Sequence, residues 1–127
     1  MKVVVDTSIL IDYLRGGKKW ETFVKEIDND TELLLPTIVI FELFSGSSTK
    51  SLAKRFDVID LLKQFRQIDL DEAIAKMAGE LYRDVKRTLE VPDYIIAASA
   101  LSINATVLTL NKKHFEQIPN INIYPLS

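Results

Sequence analysis

The opening stretch MKVVVDTSILID constrains this chain more than any other part of it. Lys2 to Val5 reads as a strand of the β-branched kind that is buried on both faces of a parallel sheet. It breaks at Asp6, Thr7 and Ser8, and apolar residues then resume at helical spacing through Ile9, Leu10, Tyr13 and Leu14. Asp6 therefore stands at a strand-to-helix junction. In open α/β sheets the crevice beyond the carboxyl ends of the strands is where ligands bind, so a carboxylate there is placed for chemistry. It also suits the plainer role of capping the following helix, because Asp, Thr and Ser all favour that position.

The remaining chain alternates in the same manner. A polar helix over Lys18 to Ile27, with Trp20, Phe23, Val24 and Ile27 as its buried stripe, leads to a short strand at Glu32 to Leu35. Thr37 is placed to cap a helix running to Ser45. Leu52, Phe56, Ile59, Leu62 and Phe65 form the apolar stripe of a long helix, and Gln67 to Leu70 suits a strand. Asp71 caps a helix that buries Ile74, Met77 or Ala78, Leu81 and Val85. Pro92 fits the first turn of an Ala-rich helix, followed by a strand over Ala105 to Leu110, a turn or short helix from Asn111, and a last strand over Ile121 to Pro125. Such alternation with short connections predicts an α/β fold with a parallel sheet covered on both faces, built as one domain over residues 1–127.

Composition excludes several classes. With 47% apolar and 27% charged residues the chain reads as globular, not disordered. Its uncharged apolar stretches fall short of the ~20 residues a bilayer crossing needs, which predicts a soluble protein. The absence of cysteine rules out disulfides and thiolate metal sites, and no basic-then-apolar leader is evident, so the expected location is the cytoplasm. A net charge of −2 argues against nucleic-acid binding by bulk electrostatics while leaving room for local basic patches. No GxxxxGK or GxGxxG cradle for nucleotide phosphates is present.

Three acids interrupt or begin apolar elements: Asp6, Glu42 between Phe41 and Leu43, and Asp93 at the start of the Ala-rich helix. A buried carboxylate without a partner costs several kcal/mol, so these side chains must be exposed, paired, or gathered around a cation. Oxygen donors with no cysteine and one histidine would suit Mg²⁺ or Mn²⁺ better than zinc. Plainer roles also fit: Glu42 on a solvated stripe, Asp93 opposing the helix dipole, His114 on a surface turn. Asn111 fits either a turn or a neutral oxygen ligand.

In this order, VVVDTSILIDYL, IVIFELFSG, PDYIIAASAL and TVLTLNKKHF resemble the motifs of the PIN-domain ribonucleases, and the size suits the VapC-type toxins of prokaryotic toxin–antitoxin pairs. The resemblance spans nearly the whole chain. It implies a Rossmann-like three-layer α/β/α sandwich with a five-stranded parallel sheet. It also implies a metal-dependent endoribonuclease with Asp6, Glu42 and Asp93 as ligands of Mg²⁺ or Mn²⁺, Ser8 supporting the site through hydrogen bonds, and Asn111 where many members carry a fourth acid. Asn111 lacks that charge, which bears on how many ions are held. A homodimer and a VapB-like antitoxin presenting Arg or Lys to the acidic cleft are further implications.

On this reading a water acidified by the ion attacks the RNA phosphodiester without a side-chain base. Lys112, Lys113, Arg83, Lys86 and Arg87 are candidate phosphate contacts, and Phe41, Phe44, Trp20 and Phe23 a candidate apolar groove for the antitoxin. Ser8 stands where a haloacid-dehalogenase-like phosphatase needs a second Asp, and no strand-terminal Asp matches a receiver domain. The alternative is a catalytically inactive PIN-like module that binds RNA or protein.

Overall fold

The structure is a computed structural model that describes residues 1–85 and 89–126. Strands β1 (Lys2–Val5), β2 (Glu32–Pro36), β3 (Arg66–Ile68), β4 (Thr106–Leu108) and β5 (Asn122–Ile123) alternate with helices. These are α1 (Thr7–Leu14), α2 (Lys19–Glu26), α3 (Thr37–Ser45), α4 (Leu52–Leu62), α5 (Glu72–Asp84), α6 (Val91–Ser102) and the single turn α7 (Lys112–Phe115). A 3₁₀ turn, Ser47–Lys50, joins α3 to α4.

All pairings in the sheet are parallel, in the order β3-β2-β1-β4-β5. Successive strand residues point to opposite faces, and Val3, Val4 and Val5 are all fully buried, so helices cover both faces of the central strand. Helix α6 packs against β1, β2 and β4, and against α3 and α5. Its small residues Ala97, Ala98, Ser99 and Ala100 are buried without a break, which lets the sheet approach closely. The strand order reverses direction of growth between β1 and β4, and such a switch point opens a crevice at the carboxyl ends of those two strands.

Local chemistry sets the boundaries. The Asp71 carboxylate accepts the Ile74 amide at 2.9 Å and starts α5, as its sequence position suggested. Gly16 adopts φ +91° just past α1, a conformation that costs a residue with a Cβ. Helix α3 differs from expectation. Thr37 lies inside it, and extended Pro36 turns the corner directly out of β2 without a side-chain cap.

Other departures concern which apolar residues go inward. Helix α4 buries Val58 and Leu61, whereas Leu52 is 67% and Phe56 60% exposed and Ile59 also faces solvent. Apolar residues occupy more than one face of α4, so periodicity alone chose the outer one. Val24 on α2 is exposed too. Trp20 and Phe23 follow the buried stripe read for their helix and not the candidate groove: both are buried, stacked on each other and packed against Phe65 and Tyr124. The strands β3, β4 and β5 are shorter than their apolar runs suggest.

Candidate active site

The carboxyl ends of β1 and β4 meet through the Asp6 amide, which donates to the Leu108 carbonyl at 2.9 Å. Asp6 is buried at the N-terminal boundary of α1, yet its side chain makes no cap bond to that helix, so the plainer role suggested by its position is not the one it plays. Its Oδ2 instead accepts two hydroxyls, from Ser8 at 2.7 Å and from Thr109 at 2.7 Å. Each hydroxyl is held in turn: Ser8 Oγ accepts the Leu110 amide at 3.0 Å, and Thr109 Oγ1 accepts the Asn111 amide at 2.9 Å. Each hydroxyl accepts a backbone amide and donates to the same carboxylate oxygen, and the two bonds together orient Asp6.

Glu42 reaches this end of the sheet from α3, half-buried, and its Oε1 accepts the Thr7 hydroxyl at 2.6 Å. Burial pushes its carboxyl above the ordinary range, the Thr7 bond opposes that, and the negative charges of Asp6 and Asp93 push it further up. Asp93 lies in the first turn of α6. Its Oδ2 accepts the Glu90 amide at 3.2 Å, so the plainer helix-terminus role does hold here. Burial likewise raises its carboxyl; the Glu90 hydrogen bond lowers it, the Asp6 charge raises it, and His114 lowers it. Three carboxylates from β1–α1, α3 and α6 thus lie within electrostatic reach of one another. They stand apart all the same: among the described residues no three Asp, Glu or His side chains form a ready-made metal cage.

The donor set is chemically suited to a hard divalent cation. It consists of carboxylate oxygens whose mutual repulsion a cation would relieve, with hydroxyls behind them and no sulfur nearby. Asn111 sits exposed at the β4–α7 junction, its amide tied to Thr109 at the edge of the same pocket.

Three contributors were not singled out by the sequence. Thr7 and Thr109 supply hydroxyls to Glu42 and Asp6, and half-buried His114 acts on Asp93 from α7 instead of standing apart on a surface turn. The available signal for Thr109 was a polar residue closing the apolar run of β4, the same pattern that marks Asp6 after β1. Of the candidate phosphate contacts, Arg83 is engaged by Asp84 at 2.7 Å, and Lys112 Nζ donates to the Leu126 carbonyl at 3.2 Å. Lys86 and Arg87 lie outside the described residues.

Comparison with known proteins bears on the family and the fold. The family model described as "PIN domain" matches residues 3–121. A relative from Mycobacterium tuberculosis named "Ribonuclease VapC19" is 32% identical, with the match covering 93% of this chain and 95% of the relative. The solved structure of VapBC2 from Rickettsia felis, bound to a DNA fragment from its promoter, superposes with a TM-score of 0.86 at 23% identity, covering 98% of both chains. DNA-bound VapBC from Salmonella typhimurium gives a TM-score of 0.83 at 25% identity, over 98% of this chain and 97% of that one. With its parallel sheet, the family model matched over nearly its whole length and these relatives, the chain belongs to the PIN domain family and, within it, to the VapC group.

Proposed function

We propose that this chain is a metal-dependent endoribonuclease acting as the toxin of a toxin–antitoxin pair, with Asp6, Glu42 and Asp93 holding Mg²⁺ or Mn²⁺. The observation that carries the reading is electrostatic: carboxylates from three separated elements lie within electrostatic reach of one another, and burial together with the neighbouring negative charges raises the Glu42 and Asp93 carboxyls. An arrangement that costs the fold stability at neutral pH is what a cation site requires before its cation arrives. The ribonuclease names of the relatives support the reaction class.

A bound divalent ion would supply positive charge that acidifies a water and neutralises the phosphodiester oxygens. The residues around it set the geometry. Ser8 and Thr109 hold Asp6 in one orientation, Thr7 holds Glu42, and the Glu90 amide fixes one oxygen of Asp93. Asn111 offers a neutral oxygen at the rim, so the local negative charge is lower than a fourth acid would make it.

Apolar side chains left in solvent, Phe41 on α3 and Leu52 and Phe56 on α4, are the kind of surface a VapB-like antitoxin covers. A groove of about 290 Å³ between α5 and α6, bordered by exposed Tyr82 and Val91, offers a second copy of the chain a place to dock. Among the described residues no helix is long and apolar enough to cross a membrane. We propose a cytoplasmic location.

The test is cleavage of single-stranded RNA with Mg²⁺, with Mn²⁺ and with EDTA. Asp6→Asn and Asp93→Asn, each with an unchanged far-ultraviolet circular dichroism spectrum, should lose about a hundredfold or more of the activity. Full activity in either variant refutes the assignment of these acids. Absence of Mn²⁺ binding heat in the wild type would favour a non-catalytic module.

A further inference from the structure

The acidic pocket repels the polyanion it is proposed to cut, and the chain as a whole is negative, so attraction must come from somewhere local. Beside these acids lies a basin of about 530 Å³ whose lining includes Lys19, Lys112, Lys113 and His114. Basin and pocket share walls. Thr109 lines the basin and donates its hydroxyl to Asp6, while His114 lines the basin and lowers the Asp93 carboxyl by its charge. The Lys112 stem is anchored, its ammonium donating to the Leu126 carbonyl that closes the basin's far side. Lys113 is exposed on the next position of α7.

We propose that this basin binds a non-reacting phosphate of the RNA strand, one adjacent in the strand to the phosphate positioned at Asp6, Glu42 and Asp93. The proposal rests on the ribonuclease reading above and adds to it how the strand is held. Lysine is a compact point charge suited to phosphate, and such contacts fix the register of a strand without reading its bases. Among the described residues the lining contains no Phe, Tyr or Trp, and its lysines engage the strand through the backbone charge that every sequence shares. It divides the labour between adjacent sites: cations hold one phosphate while acids and their ion act on the next.

The experiment is fluorescence anisotropy of the full-length chain in Mg²⁺ with a fluorescein-labelled phosphorothioate RNA of about ten nucleotides, long enough for a single-strand site and resistant to hydrolysis. Lys113→Ala should weaken binding about three- to tenfold and reduce the slope of log affinity against log salt by about 0.7, to the same extent for unrelated sequences. Lys113→Arg should restore the slope. Lys63→Ala, which removes an exposed lysine paired with Asp60 on α4, should leave binding as it was. Wild-type affinity and slope in Lys113→Ala, an equal loss in Lys63→Ala, or no binding by the wild type would each overturn the proposal. Lys113-dependent binding by a chain that leaves RNA uncut would remove the ribonuclease reading and keep the basin. Cleavage by a chain whose binding ignores Lys113 would do the reverse.

Discussion

Replacing Thr109 by valine isolates what the buried hydroxyl contributes to the site. Thr109 is fully buried, and valine matches its shape, so the change deletes hydrogen bonds without opening a cavity. The bond lost to Asp6 is short, 2.7 Å, and a hydrogen bond to an ionised group contributes about 1.5–3 kcal/mol. Ser8 keeps its own 2.7 Å bond to the same oxygen, and the exposed Asn111 amide can turn to water, so the loss falls in the middle of that range. We expect about 2 kcal/mol of destabilisation, which in a domain of this size lowers the melting temperature by about 6–8 °C. Urea titration and thermal melts in EDTA measure this directly. Calorimetric Mn²⁺ binding should weaken about tenfold, because a carboxylate freed from its supporting hydroxyl no longer points to one place. The Thr109→Val and Ser8→Ala changes should combine non-additively by about 1 kcal/mol, since together they strip Oδ2 of both donors. A valine variant within about 0.5 kcal/mol of wild type and with unaltered Mn²⁺ affinity would refute the claim that Thr109 positions Asp6.

Two further predictions follow from the electrostatics and the backbone. The folded-state pKa values of Glu42 and Asp93 are raised, so the stability they contribute is complete below the unfolded carboxylate range near pH ~4 and is lost as pH rises through the folded values. Cation binding needs the ionised forms, so the rise in melting temperature that Mn²⁺ brings should be larger at about pH 7.5 than at about pH 5 and correspond to about 1.4 kcal/mol at ten times Kd; a rise that is larger in acid contradicts the site. Gly16→Ala forces a Cβ into φ +91° and should cost about 1 kcal/mol by urea titration, with RNA cleavage retained because the turn lies at the far end of α1 from Asp6.

Much of this arrangement is legible in the sequence because it depends on local punctuation. A β-branched run ending in Asp6 announces strand, junction and carboxylate at once, and Asp71 and Pro92 mark helix starts by chemistry that needs no distant partner. The acids stood out because each interrupts an apolar element. What stayed hidden is set by contacts between distant parts of the chain. Thr109 and His114 act on Asp6 and Asp93 only once β4 and α7 lie beside β1 and α6; the polar close of the β4 run marks Thr109 as unusual but does not name its partner. Helix α4 misleads for a related reason: the residues that face the domain, Val58 and Leu61, compete in sequence with an equally apolar outer face of Leu52, Phe56 and Ile59. Trp20 and Phe23 show the converse, a stripe read from helical spacing that the domain's interior does claim.

The bond from Thr109 to Asp6 spans 103 positions of chain, and the strands on either side of it, β1 and β4, are joined by everything that lies between. Ring closure over such a distance is entropically slow and is rewarded only late in folding. A ribosome that stalls just before β4 therefore releases a fragment that carries Asp6, Ser8, Glu42 and Asp93 but not Thr109, the second of the two hydroxyls that aim Asp6. Incomplete copies of the chain are thereby left with a carboxylate at the end of β1 that only one hydroxyl holds.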